Sequence, residues 1–285
     1  MKNINIGKKA DHKKWLVLAT CFALTLTASA LRPPEALAVE QEQANLSYNV
    51  YIGGSRMFKI ALQTTLTANS YTSYLRLKPK GLAKFFANIS MVMNASGRLE
   101  KTGVNPQKFS FYRKKKKRKR TSNIVWTTSG KTSTTRTYKI SPNNEIKLSK
   151  AIGTNVPDPL SAFLRMGVTN AKSPCGKVQR IYDGGKVYDL KFTLLGKTEF
   201  GPKSNGAYRG SAFKCRLNHK PVAGYSKKAL AKARKNPAVF TVWFAPVKSK
   251  VLKSEILLPV AASGTVKGRT FSAYTKAATF AGRPL

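Results

Sequence analysis

The sequence predicts a mainly β protein: a curved antiparallel sheet or half-barrel with two or three short helices and one disulfide. Three observations predict it. Short runs of alternating apolar and polar residues recur along the chain, the period of half-buried strands. Asp183-Gly184-Gly185 separates two such runs, and glycine accepts the positive φ that a tight hairpin turn needs. Cys175 and Cys215 flank that hairpin and stand as a pair once the leader is set aside.

The leader comes first. Lys2, Lys8, Lys9, Lys13 and Lys14 precede an apolar run of about twelve residues, Trp15 to Leu26, and Ala28-Ser29-Ala30 supplies small residues for a peptidase. That is the pattern of a secretory signal peptide over residues 1–30, with a second possible cut after Ala38. An uncleaved membrane anchor is the alternative, but the run is shorter than the roughly twenty residues a spanning helix needs. Leu18-Ala19-Thr20-Cys21 looks like a weak lipobox, but Thr20 stands where Gly or Ala is usual and the apolar run continues past Cys21. The leader predicts export to an oxidising compartment, expected to be a bacterial periplasm, where two thiols form a bridge. A metal site is the alternative for Cys175 and Cys215; with His219 the only histidine left, four ligands are not available.

Arg32 to Gln43, with Pro33-Pro34, reads as a linker, and residues 31–45 are assigned to it. A single domain is expected over 46–280. Leu46, Tyr48, Val50 and Ile52 share one strand face, and Phe58, Ile60, Leu62 and Leu66 another after Gly53-Gly54. Tyr71, Leu75 and Leu77 continue the meander. Pro79 to Asn88 reads as one helical turn or two, and Asn94-Ala95-Ser96-Gly97 as a turn. Phe109 and Phe111 share a face before eight consecutive cations: Arg113, Lys114, Lys115, Lys116, Lys117, Arg118, Lys119 and Arg120. With Ile124-Val125-Trp126 following as a strand, the run is a solvated hairpin tip.

Residues 129–150, rich in Ser, Thr and Lys, read as a loop with weak strand character around Thr137 to Ile140. Asp158 is a helix cap and Pro159 the first helical residue of a short helix to about Met166, ended by Gly167. Tyr188, Leu190, Phe192 and Leu194 share a face after the hairpin turn. Ser226 caps a second helix to Lys235, stopped at Asn236-Pro237. Val239 to Phe244, apolar on both faces, reads as a buried central strand. Glu255 to Val260 and Thr265 to Thr275 complete the sheet, joined at Ala262-Ser263-Gly264.

The formal net charge is +41; residues 1–38 hold six Lys or Arg and two acids, so the remainder keeps about +37. Such a chain meets anionic polymers readily. In the envelope those are lipopolysaccharide phosphates, acidic lipid or peptidoglycan carboxylates; nucleic acid suits the charge but not the compartment. The basic run 113–120 is the candidate anionic-surface site, against the plainer reading of one more basic loop on a basic protein.

Enzyme signatures are nearly absent, and no catalytic residue, metal or cofactor is assigned. Asp183 and Asp189 flank a glycine turn, so a shared face cannot be assumed, and a turn aspartate and a strand-edge aspartate account for them. His219 has no nucleophile motif beside it and reads as a surface histidine. Gly130-Lys131-Thr132 and Gly196-Lys197-Thr198 lack the glycine that a phosphate loop requires five positions earlier. A curled sheet must fill its concave face with helices or an apolar ligand. Tyr48, Phe58, Tyr188, Phe192, Phe240 and Trp243 are candidates for that face, or for ordinary core.

Tyr182-Asp183-Gly184-Gly185-Lys186, Tyr188-Asp189-Leu190, Tyr208 with Gly210, Ala223-Gly224-Tyr225 and the two cysteines carry a resemblance over residues 46–276. So do Asp158-Pro159-Leu160-Ser161 and Tyr51-Ile52-Gly53-Gly54. The chain resembles the bacterial periplasmic family known as domain of unknown function 3108. The resemblance implies a β-rich shape similar to envelope half-barrels such as LolA and LolB, and no activity. The reading is a non-catalytic envelope protein that binds a lipid, lipoprotein or protein partner. A basic scaffold docking on lipopolysaccharide or peptidoglycan is the alternative, and an uncharacterised hydrolase the third.

Overall fold

Alternation of buried and exposed side chains runs through strand after strand, as in Glu42–Ile52, where Ala44, Leu46, Tyr48 and Val50 are buried and Asn45 is exposed. The structure is a computed structural model that describes residues 40–285, apart from 82, 87, 101–102, 170–174, 238 and 267. The predicted leader, its two cuts and Cys21 lie outside the described residues, as does the linker up to residue 39.

The first seven strands are β1 (Glu42–Ile52), β2 (Ser55–Leu66), β3 (Ser70–Pro79), β4 (Ile89–Glu100), β5 (Gly103–Lys115), β6 (Arg118–Trp126) and β7 (Thr132–Arg136). A four-residue helix, α1 (Ala83–Phe86), joins β3 to β4. Helices α2 (Pro142–Ala151) and α3 (Pro159–Thr169) follow. The remaining long strands are β8 (Val178–Tyr182), β9 (Val187–Phe200), β10 (Gly210–Ala223), β11 (Val239–Ser249), β12 (Ser254–Val266) and β13 (Arg269–Phe280). Helix α4 (Lys227–Lys235) joins β10 to β11, and β14 (Arg283–Pro284) pairs with β13.

The sheet is one antiparallel path, β7-β6-β5-β4-β3-β2-β1-β13-β12-β11-β10-β9-β8. Two meanders meet at β1, whose neighbours are β2 and β13. Helix α3 touches β4, β5, β8 and β12. The neighbours β4 and β5 lie far from β12 and β8 in the path, so one helix reaches them all only because the sheet curls around it. The sheet stays unclosed. Its edges, β7 and β8, meet where the Tyr182 hydroxyl donates to Thr134 Oγ1 at 3.1 Å, and beside them Ser122 Oγ on β6 donates to the carbonyl of Asp183, just past β8, at 3.2 Å. Such contacts cover edges that would otherwise offer a free ladder.

The bridge Cys175–Cys215 is present, with Cα atoms 6.1 Å apart. It ties the segment before the edge strand β8 to β10 across β9, and its cluster includes Met166, Ile181, Phe192 and Phe244. Asp183-Gly184-Gly185 forms the predicted turn: Asp183 Oδ1 accepts from the Gly185 amide at 2.9 Å and the Lys186 amide at 2.7 Å.

Several expectations are corrected. The linker does not extend to residue 45, because Glu42 is buried in β1 and its carboxylate accepts from Ser249 Oγ at 2.5 Å and from the Lys250 amide at 2.9 Å. Asn94–Gly97 is strand, not turn; Ala95 faces the core and Gly97 stands at a bulge against the Tyr71 ring. Residues 129–150 hold β7 and α2 rather than a loop, and 137–140 are not strand. Ladder pairing to β6 makes β7 without apolar content, and Ser141-Pro142 with buried Leu148 starts and seats α2. Ala262-Ser263-Gly264 lies inside β12, opposite Phe240 to Val242, and the turn falls near Gly268. Val239 is 40 % exposed, so β11 is not buried along its length. Leu194, opposite Cys215 at a bulge, is exposed.

Candidate functional site

Helix α3 fixes the site. Asp158 caps it as expected, accepting from the Leu160 amide at 2.9 Å and the Ser161 amide at 3.0 Å. Ser161 Oγ also donates to Asp158 Oδ2, and the Tyr71 hydroxyl on β3 lies 2.6 Å from Ser161 Oγ. Asp158 and Ser161 are fully buried, and burial pushes the Asp158 carboxyl up to about 6. The Arg165 guanidinium donates to the Val104 carbonyl on β5 at 2.7 Å. Gly167 does not end the helix. A Cβ there would stand 2.5 Å from the Leu257 carbonyl oxygen, so the missing side chain lets α3 lie directly on β12.

This packing leaves an apolar cavity of about 340 Å³ between α3 and the concave face. Phe163, Leu164 and Val168 supply its helical wall; β1, β2 and β3 supply Leu46, Ile60, Leu62 and Leu75. Its floor is made of small side chains: Ala262 and Ala273 are cross-strand partners, and Val242 faces Ala262. The lining has few polar groups, and they are satisfied. The Tyr48 hydroxyl donates to the Pro259 carbonyl, and Thr64 Oγ1 lies 2.9 Å from Ser73 Oγ. Burial raises the Tyr48 phenol, which stays neutral. Among the described residues the one buried side-chain polar atom without a partner is Gln179 Oε1, which is not in this lining. The size suits a small apolar ligand.

The cavity has a direction. Lining residues beside α3, such as Leu66, Ile256 and Leu258, are buried. Ile60, Phe240 and Phe271, toward the other end of their strands, are only half-buried. The mouth therefore lies at the end of the sheet that carries the β1–β2 and β5–β6 turns.

The basic run forms that β5–β6 tip. Lys116 and Lys117 make the turn, while Arg113 pairs with Arg120, Lys114 with Lys119 and Lys115 with Arg118 across the ladder. The positions from Lys114 to Arg120 are exposed, and Arg120 stands over the Tyr138 ring at 5.2 Å.

The other sequence candidates part company. Asp183 is held by its turn amides, and burial raises its carboxyl. Asp189 pairs with Arg180 at 2.9 Å. Being adjacent to Tyr188 on a strand, it projects from the opposite face. His219, read as a surface residue, is half-buried: its ring is tilted against Tyr188 with centroids 4.9 Å apart, and its Nε2 lies 3.2 Å from the Tyr225 hydroxyl. Burial, with Lys186 nearby, lowers its pKa. Gly224 packs against this turn, since a Cβ on it would stand 2.2 Å from the Gly185 carbonyl oxygen. The motif residues thus build a corner where β8, β9 and β10 meet. Of the six concave-face aromatics, Tyr48 and Phe240 line the cavity and Phe192 packs around the disulfide. Trp243 faces the other side, its Nε1 donating to Thr198 Oγ1 at 3.1 Å. Sequence reasoning missed Gly167 and Tyr71; no local signal marks the first, because Val168 and Thr169 after it are poor helix formers.

Among the described residues no His, Cys, Asp and Glu cluster suited to a metal occurs, and no helix is long and apolar enough to cross a membrane. The chain is similar to a solved β-barrel-like protein of domain of unknown function DUF1849 from Brucella abortus. That similarity has 9 % identity and a TM-score of 0.45, and covers 82 % of this chain and 95 % of the other. No curated protein matches the sequence. The family model described as protein of unknown function (DUF3108) matches residues 47–260, and the chain belongs to that family.

Proposed function

We propose that this protein is a non-catalytic periplasmic envelope protein whose concave face takes the apolar chain of a lipid or of a lipid-modified protein. One observation carries the reading: a partly open cavity of about 340 Å³ with an apolar lining and no polar side chain in need of a partner. Such a cavity offers an acyl chain dispersion contacts and release from water, and offers a polar substrate nothing to bond. The signal-peptide pattern and the cysteine pair support the compartment. The test is solvent extraction of protein purified without detergent from an exporting host, followed by mass spectrometry. An acyl lipid near one per chain is expected. Protein that is empty, and stays empty after incubation with oleate, would overturn the reading.

The exposed β5–β6 tip favours a second reading, a scaffold that docks by charge on lipopolysaccharide or peptidoglycan. It predicts envelope association that is lost on deleting residues 113–120 while the cavity takes up no lipid.

A further inference from the structure

Charge is distributed unevenly between the two ends of the strands. In an antiparallel meander alternate connections lie at the same end. The β1–β2 turn, the α1 crossing, the β5–β6 tip, the β8–β9 turn and α4 therefore share the end that holds the cavity mouth. The α1 crossing brings Lys80 and Lys84, and the tip brings Lys114 to Arg120. Helix α4 brings Lys227, Lys228, Lys232, Arg234 and Lys235, buries no residue and has no acid. Acids near this end are already engaged: Asp183 by its turn amides, Asp189 by Arg180, and Glu145 by Arg136 at 2.6 Å. The exposed acids Glu100, Glu199 and Glu255 sit at the far end, on the β4, β9 and β12 termini.

The tip has a second property. Its three cross-strand pairs are all cation on cation. Like charges directly opposite each other destabilise a hairpin, and an anionic surface relieves that repulsion. The same end also shows half-buried apolar side chains, Ile60, Phe240 and Phe271, around the mouth.

Resting on the reading of the cavity as an acyl-chain site, we infer that this end docks on a bilayer of anionic phospholipid, so that the mouth faces the headgroups. The phosphates meet the tip and α4, and a chain leaving the bilayer enters the cavity without crossing water. A basic patch remote from the mouth would give the same net charge without this geometry.

The test is co-sedimentation of the full chain with vesicles of phosphatidylglycerol and phosphatidylcholine in equal parts, and with phosphatidylcholine alone. Binding to the mixed vesicles only, lost at high salt, is expected. Replacing Lys115→Gln, Lys117→Gln and Arg118→Gln together should lower the partition about a hundredfold, since each cation near such a surface contributes about fivefold. The matched variant at the far end, Lys131→Gln, Lys250→Gln and Lys253→Gln, removes the same charge and should change it less than about threefold by the same distance argument. Equal losses in the two variants, or equal binding to uncharged vesicles, would overturn the inference. So would a duplex DNA fragment bound as tightly as the mixed vesicles, which would make the end a general polyanion surface. Docking that persists in a protein unable to take up oleate would sink the cavity reading and leave the docking end standing.

Discussion

The two halves of the concave face are made differently. Near α3 the face is locked: Asp158, Ser161 and Tyr71 form a buried polar chain, Arg165 bonds β5, and Gly167 lies on the β12 backbone. Toward the basic end the same strands present half-buried apolar residues and an alanine floor, and the α3 side chains Phe163, Leu164 and Val168 form the opposite wall of the cavity. The helix therefore touches the sheet backbone directly at one place and stands off from the rest of the face. Gly167 brings one part of the helix onto β12, and the space between its apolar side chains and the rest of the face is the cavity.

Changes in the locked half should cost stability most. Gly167→Val places side-chain atoms against the Leu257 carbonyl, and α3 must lift; a loss of about 3–5 kcal/mol is expected from strain and lost packing, read by chemical denaturation. Removing the bridge with Cys175→Ala and Cys215→Ala opens a loop with a sequence separation of 40, and should cost about 4 kcal/mol in the chain-entropy model.

The buried carboxyl gives a pH signature. Asp158 has its folded value raised to about 6 from 3.8. The fold therefore favours the neutral acid, so this group's contribution is full below its unfolded value and is lost as pH rises through about 6. Stability should fall by about 3 kcal/mol between about pH 4 and pH 7 from this group. Asp158→Asn should flatten that slope when melting is followed across the range. Tyr71→Phe, which removes one hydrogen bond to Ser161, should cost about 1–2 kcal/mol. The smallest effect belongs to the open half: Lys117→Gln at the exposed tip should shift stability by less than about 0.5 kcal/mol. A larger loss there would mean that the tip packs on something and is not a free surface.

Much of the architecture was legible because burial writes itself into alternation. The strands of the first meander, the turn at Asp183, the cap at Asp158 and the helix from Ser226 all carry local signals. What escaped notice depends on distant partners. Asn94–Gly97 has turn-like letters, yet two neighbouring strands hold it extended. Strand β7 has no apolar period and exists through its ladder to β6. The cavity was legible only as a consequence of curvature. Which aromatics line it was not, because Phe240 and Trp243 lie on opposite faces of a strand that is apolar on both, and pairing with β10 and β12 decides which face turns inward. Gly167 looked like a helix end because close approach to Leu257 leaves no mark in its own neighbours.

Calorimetric titration of oleate into the wild-type chain and into Ala262→Phe tests the open half most directly. Ala262 lies on the cavity floor, so a phenylalanine ring there occupies the space an acyl chain would take. The account predicts saturable one-to-one binding with a negative heat-capacity change in the wild type, and none in the variant, with both proteins folded. Binding of equal strength in the two proteins, or no saturable binding in the wild type, would contradict it.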